Sequence, residues 1–95
     1  MRRQGVVLPS NVWALNLQSL PGKDPRAVRV GAHIRTARDA KGITQSQLAR
    51  AIEVPDSYIS RWERGDNMPS WDNLEAIAAE LGVTLGSLVE RPMAP

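Results

Sequence analysis

Residues 45–65 of the chain read QSQLARAIEVPDSYISRWERG. The apolar residues of this stretch recur as two short helices around a tight turn would place them: Leu48, Ala49, Ile52, Val54, Ile59 and Trp62. The second helical part has a polar face that this pattern leaves unburied: Asp56, Ser57, Ser60, Arg61 and Arg64. The stretch therefore predicts a small scaffold that presents polar side chains on one exposed helix.

Capping signals set the limits of the helices in and before this stretch. Asp24 is a good N-cap, Pro25 suits the first helical position and Gly42 suits a left-handed C-cap, so the first helix is predicted over 25–41. Thr44 caps the second helix, at 45–52, with Gln47 three residues later as in a capping box. The third helix is predicted at about 55–64, and Gly65 ends it.

Two further helices follow, which makes the predicted fold all-α with five helices around one small core. Pro69 and Ser70 introduce the fourth helix, and Thr84 caps the fifth. The fourth helix has an apolar stripe of Trp71, Leu74, Ile77, Ala78 and Leu81, and the fifth has Leu85, Leu88 and Val89. Both Trp62 and Trp71 are predicted to lie in or near the core.

Composition argues against an enzyme. The 95-residue chain has no Cys and a single His, His33, which leaves little for a metal site or for a Cys/His nucleophile. A Gly-rich phosphate loop and a GxSxG elbow are both absent from the sequence. We therefore expect no catalytic residues, no metal and no cofactor, and we interpret His33 as an ordinary surface residue of the first helix.

Charge is distributed unevenly along the chain. Residues 1–65 hold eleven Lys/Arg and five Asp/Glu, a formal +6, whereas residues 66–95 hold one Arg and five Asp/Glu, a formal −4. The basic part contains the helical pair. This asymmetry suits a protein that turns one face toward phosphates.

The chain divides into an arm at 1–23, a helical domain at 24–90 and a tail at 91–95. Residues 4–22 carry no charge, and Pro9 and Pro21 break their apolar runs, so neither a membrane span nor a signal peptide is predicted. The runs 6–8 and 12–17 could pair as a hairpin, or Ser10 could cap a short helix.

Residues 29–90 resemble the helix-turn-helix domain of the Cro and phage-repressor class, also called the xenobiotic-response-element family. The matching motifs are Thr44-Gln45, Leu48-Ala49, Ile59 to Gly65, Pro69-Ser70 and Leu81 to Thr84. The resemblance implies a compact five-helix, lambda-repressor-like DNA-binding domain. It also implies a cytoplasmic, nucleoid-associated transcriptional regulator of bacterial or phage type, with repression as the expected outcome.

By this resemblance, Asp56, Ser57 and Arg61 occupy base-reading positions on a recognition helix that lies in the major groove of double-stranded DNA. The DNA-backbone positions are Thr44, Gln45, Tyr58, Ser60, Arg64, Arg35 and Arg38. The positions of structural support are Arg38, Glu63, Ala49 and Trp62, with Arg38 paired to Glu63 and Ala49 small enough for two helices to cross.

Two residues depart from the family pattern. Glu53 stands where the turn between the second and third helices usually has Gly, and a left-handed non-Gly residue there costs about 1 kcal/mol. Pro55 replaces the usual Ser or Thr at the start of the third helix, so a side-chain cap is lost.

One short recognition helix reads only a few base pairs, so we expect a homodimer on a palindromic operator with half-sites about 10 bp apart. The dimer surface is expected on the last helix or on the arm. The alternative is an antitoxin or a bridging protein that binds a partner protein through residues 1–22.

Overall fold

The computed structural model describes residues 23–90, and within that range it contains five helices and no strand. The helices are α1 (Pro25–Lys41), α2 (Gln45–Ile52), α3 (Asp56–Arg64), α4 (Trp71–Leu81) and α5 (Leu85–Val89). The all-α, five-helix prediction is confirmed. The predicted hairpin or short helix in residues 1–22 and the tail at 91–95 lie outside the described residues. No helix in 23–90 is long and apolar enough to cross a membrane.

The predicted caps explain where the helices begin. Asp24 directly precedes Pro25, the first residue of α1, and its carboxylate accepts a hydrogen bond from the Arg26 N–H at 2.8 Å. Thr44 and Gln47 form the full capping box: the Thr44 hydroxyl accepts from the Gln47 N–H at 3.0 Å, and the Thr44 N–H donates to the Gln47 side chain at 2.8 Å. Helix α3 begins at Asp56, one residue later than predicted, because Pro55 has an extended backbone and is the N-cap. As expected for proline, this cap offers no side-chain hydrogen bond.

The core lies between α1, α3, α4 and α5, with Leu48 and Ala49 of α2 closing one side. Its buried residues are Val30, Ile34, Leu48, Ala49, Ile59, Trp62, Leu74, Ile77, Ala78, Leu81 and Leu88. The prediction that Trp62 belongs to the core is confirmed. The same prediction for Trp71 is wrong, because Trp71 is 60% exposed. It is the first residue of α4, and more than half of its surface stays exposed there.

Two glycines let α1 and α3 approach each other closely. A Cβ on Gly31 would meet the carbonyl oxygen of Trp62 and would lie 2.9 Å from that of Glu63. Gly65, which ends α3 with a φ of 79°, would place a Cβ 2.7 Å from the Val28 backbone. The backbone of α3 is therefore seated directly on α1.

The turn between α2 and α3 keeps the left-handed geometry that usually favours glycine. Glu53 has φ 62° and ψ 48°, and within residues 23–90 it is the one residue other than glycine with a positive φ. The Glu53 and Val54 N–H groups still close the end of α2 by donating to Arg50 and Ala49 carbonyls. The family's turn is thus kept at the cost of a strained residue.

Candidate nucleic-acid interface

Helix α3 is buried along one side and exposed along the other. Ile59 and Trp62 are buried in the core, whereas the opposite side carries the exposed residues Asp56, Ser57, Tyr58, Arg61 and Arg64. Ser60 is half-buried between the two sides. The three residues predicted to read bases therefore lie together on the outward face of one short helix.

A buried ion pair fixes the far end of α3 to α1. The Arg38 Nε donates to Glu63 at 2.6 Å and its Nη2 donates to the other carboxylate oxygen at 3.0 Å. Nη1 of Arg38 donates to the Ile43 carbonyl at 2.8 Å, so the guanidinium is bound on every side. The hydrogen bond to Glu63 raises the pKa of Arg38 above its ordinary value, against the opposing effect of desolvation.

This ion pair also holds the start of α2. The Gln45 side-chain amide donates to the Glu63 carboxylate at 2.9 Å, which links the start of α2 to α3. An amide nitrogen has two N–H groups, and this bond uses one of them. The first backbone N–H groups of α2 lie beside this side chain, and helix N-termini attract anions. The sequence placed Gln45 at the start of α2 but did not reveal its bond to Glu63.

A second contact joins the N-terminal ends of α2 and α3. The Ser46 hydroxyl donates to the Asp56 carboxylate, so this acidic side chain has a fixed direction at the start of α3. Arg61, five residues further along the helix, forms no salt bridge within residues 23–90. The exposed face of α3 thus presents one oriented acid and one unpaired guanidinium. The role of Ser46 carried no sequence signal, because serine is common in a first helical turn.

The C-terminal end of α3 carries a cluster of charges. Arg64 donates to Asp66 at 3.0 Å and to the Ser60 hydroxyl at 2.5 Å. Lys23 lies 3.3 Å from Asp66 and donates to the Arg64 carbonyl at 2.9 Å. The hydrogen bonds from Arg64 and Lys23 lower the pKa of the Asp66 carboxyl below its ordinary value. Two cations therefore share one carboxylate where the exposed face ends.

An open concavity of about 310 Å³ borders the exposed face on its α4 side. Tyr58 and Arg61 form one wall, and Asn67, Met68 and Asn73 form the other. The Tyr58 ring is 42% exposed and packs edge-on against Trp62, with centroids 5.8 Å apart. Sequence analysis missed the second wall, since Asn67 and Met68 lie in a loop without a periodic pattern and Asn73 lies outside the apolar stripe of α4.

Of the remaining candidate residues, some support the fold and others lie exposed at the surface. Ala49 is fully buried where α2 meets its neighbours, and Thr44 uses its hydroxyl for the cap of α2. Arg35 is exposed and lies 3.9 Å from Asp39. Arg38, assigned from the sequence both to support and to the DNA backbone, has only 11% of its side chain exposed. Its bonds to Glu63 and Ile43 give it the supporting role, and its contact with the DNA backbone stays a prediction.

His33 departs from its sequence interpretation. Its side chain is half-buried, and Nδ1 lies 3.1 Å from the Leu88 carbonyl, so it joins α1 to α5. Within residues 23–90, no group of His, Asp and Glu is arranged to hold a metal ion.

Comparison with known proteins agrees with this geometry. A family model described as helix-turn-helix matches residues 34–88. The immunity repressor protein of Bacillus phage phi105 is 37% identical over 60 residues, which are 63% of this chain and 42% of that protein. The chain spans less than half the length of the curated relatives that it matches.

Two solved structures of similar fold contain DNA. The biofilm regulator SinR in complex with DNA has a TM-score of 0.62 and 35% identity, covering 64% of this chain and 98% of that one. The P22 c2 repressor in complex with a synthetic operator has a TM-score of 0.62 and 31% identity, covering 64% of this chain and 92% of that one.

Proposed function

The chain belongs to the helix-turn-helix family, whose model matches residues 34–88, and on this basis we propose that it is a sequence-specific DNA-binding transcriptional regulator. The observation that carries the proposal is the exposed polar face of α3, on a helix held to α1 by Gly31 and by the Arg38–Glu63 pair. We name α3 the recognition helix and place it in the major groove. The regulator would act in the cytoplasm, on the nucleoid, as a repressor.

Three residues of the recognition helix would read base edges. Arg61 forms no salt bridge within 23–90, so its two-pronged guanidinium is available for guanine, a contact worth about 1–3 kcal/mol of discrimination. Asp56 would accept a hydrogen bond from the cytosine amino group, and its bond from Ser46 directs the carboxylate. Ser57 lies at the same end of the helix, and its hydroxyl would donate a hydrogen bond to a base edge or accept one from it.

The DNA backbone would be held on both sides of this helix. Gln45 and Thr44 would lie beside one phosphate at the N-terminus of α2, and the remaining amide N–H of Gln45 would donate to that phosphate. Tyr58, Ser60 and Arg64 would contact sugar and phosphate beside the recognition helix, and Arg35 would add a more distant positive charge. Arg38 supports the site through its bonds to Glu63 and would also lie near the DNA backbone.

We further propose that the regulator binds a palindromic operator as a homodimer. A nine-residue recognition helix covers only a few base pairs, so two copies related by a two-fold axis would be needed for a specific site. The paired surface would be α5 or residues 1–22. A partner-binding role of residues 1–22 rests on a segment outside the described residues, and DNA binding is the function that we advance.

Selection of bound duplexes from a random pool tests the proposal directly. We expect a palindrome with half-site centres about 10 bp apart, and an affinity that falls by about 0.9 log unit per phosphate contact per decade of salt. An enriched single half-site would argue against the homodimer. Enrichment of no sequence, under conditions where the chain is helical by circular dichroism, would overturn sequence-specific binding.

A further inference from the structure

An apolar groove lies between α1 and α5, separate from the face of the recognition helix. One wall is formed by His33, Ala37 and Ala40 of α1, and the other by Val83, Leu88 and Glu90. Its volume is about 440 Å³, and its walls are mostly carbon. A groove of this size suits a few apolar side chains.

The side of α1 that lines the groove continues toward the start of the helix through Arg29, four residues before His33. Nε of Arg29 is buried and has no hydrogen-bond partner within residues 23–90. A buried N–H normally has an acceptor. This side of α1 thus offers an apolar groove and, at Arg29 Nε, a hydrogen-bond donor that lacks an acceptor within residues 23–90. An uncharged stretch of polypeptide could supply both the apolar side chains and a carbonyl acceptor.

Residues 4–22 have the composition that such a groove needs. They carry no charged side chain, and their large apolar residues are Val6, Val7, Leu8, Val12, Trp13, Leu15, Leu17 and Leu20. This much apolar surface favours burial against another apolar surface.

The point of attachment places these residues within reach. They join the domain at Lys23, which is held to the Arg64 carbonyl beside the first turn of α1. From Pro25 to Ala40 the helix rises about 22 Å, whereas ten extended residues, from Lys23 back to Trp13, span up to about 33 Å.

We propose that residues 4–22 fold back along α1 and fill the α1–α5 groove of their own molecule. The residues around Trp13 would pack against Ala37 and Val83, and a backbone carbonyl of the arm would accept the hydrogen bond of Arg29 Nε. A covalently attached segment has a high effective concentration, which favours its own groove over that of a second copy. This inference concerns a face other than the recognition helix and does not depend on DNA binding.

A nitroxide label can test this docking, because the chain has no Cys and one can be introduced at Thr36→Cys on the exposed edge of the groove. The chain has three Trp residues, and the indole N–H signal of Trp13 is assigned by its loss in Trp13→Phe. We expect the oxidised label to remove most of the intensity of that signal in the full chain. Reducing the label should restore it.

The matched control is a label at Ala51→Cys, which is exposed on α2, a helix that packs mainly on α3 and α4. That label should leave the Trp13 signal nearly unchanged. A second groove label, Ala40→Cys, guards against a nitroxide that itself displaces the arm.

A mixture of isotope-labelled chain without nitroxide and unlabelled chain with nitroxide then separates the two sources of the arm. A clear loss of Trp13 signal in this mixture would overturn docking within one molecule in favour of exchange between two copies, because the isotope-labelled arms can then meet a nitroxide only on another copy. No broadening by either groove label would overturn the docking itself and leave the groove to a partner protein.

Discussion

Arg38 and Glu63 join α1 to the recognition helix through two hydrogen bonds, 2.6 Å and 3.0 Å long, in a site where the Glu63 side chain is only 3% exposed. The same carboxylate accepts from Gln45, at the start of α2. One acidic side chain therefore connects the three helices on which the proposed DNA contacts depend. The pair was predicted from the family resemblance, and the structure confirms it.

Glu63→Ala is expected to lower the free energy of unfolding by about 3 kcal/mol, because it leaves a buried guanidinium without its acceptor. Asp39→Ala is the matched control, since Asp39 also lies near Arg38 but is 61% exposed, and it should change stability by less than about 1 kcal/mol. Urea denaturation followed by circular dichroism measures both. Equal midpoints for the two variants would remove the supporting role of the pair.

Gly31→Ala is expected to destabilise the protein by about 1–3 kcal/mol, because the new methyl group meets backbone carbonyls of α3 that cannot move aside alone. Gly86→Ala, in α5, meets no atom within 4 Å and should be neutral or stabilising by up to about 1 kcal/mol. Thermal denaturation of the pair is the measurement. A stable Gly31→Ala protein would show that α1 and α3 can separate without loss.

The helices could be predicted from the sequence because their limits are local. Asp24, Thr44 and Ser70 cap the residues that immediately follow them, and Gly42 and Gly65 end helices through their own backbone angles. Apolar periodicity identified which side of each helix is buried. These signals do not depend on how the helices are arranged.

The contacts between helices were less predictable. Periodicity placed Trp71 on the core stripe but could not show that this residue, in the first turn of α4, stays mostly exposed. Gly31 has no side chain to enter an apolar pattern, although its contact with α3 sets the spacing of two helices. The bonds from Gln45 to Glu63, from Ser46 to Asp56 and from His33 to Leu88 connect residues that only the assembled fold brings together.

Trp71→Ala should change the free energy of unfolding by less than about 1 kcal/mol, since an exposed side chain loses little burial. Trp62→Ala should cost about 3–5 kcal/mol, because Trp62 is 95% buried (5% exposed) in the core. Denaturation in guanidinium distinguishes the two. A large loss in Trp71→Ala would mean that a part of the chain outside 23–90 covers this ring.

Glu53→Gly is expected to be neutral or stabilising by up to about 1 kcal/mol, because glycine relieves the left-handed strain at φ 62° while adding freedom to the unfolded chain. Ala51→Gly, two residues earlier in the helical part of α2, should instead cost about 1 kcal/mol. Differential scanning calorimetry can compare both with the parent chain. Clear destabilisation by Glu53→Gly would show that the glutamate side chain makes a stabilising contact in this turn.

Arg61→Ala is expected to relax the site preference of the regulator, since the proposed guanine contact contributes about 1–3 kcal/mol of discrimination at one base pair. Arg50→Ala is the control for charge, because it removes the same charge from the exposed C-terminal end of α2, outside the proposed base-reading set. Both variants should weaken binding to every duplex through lost electrostatic attraction, but only Arg61→Ala should reduce the ratio of affinities between the selected operator and one with that base pair replaced. Fluorescence anisotropy titrations at a fixed salt concentration give these ratios. An Arg61→Ala protein that keeps the full ratio would place the base-reading face elsewhere on the domain.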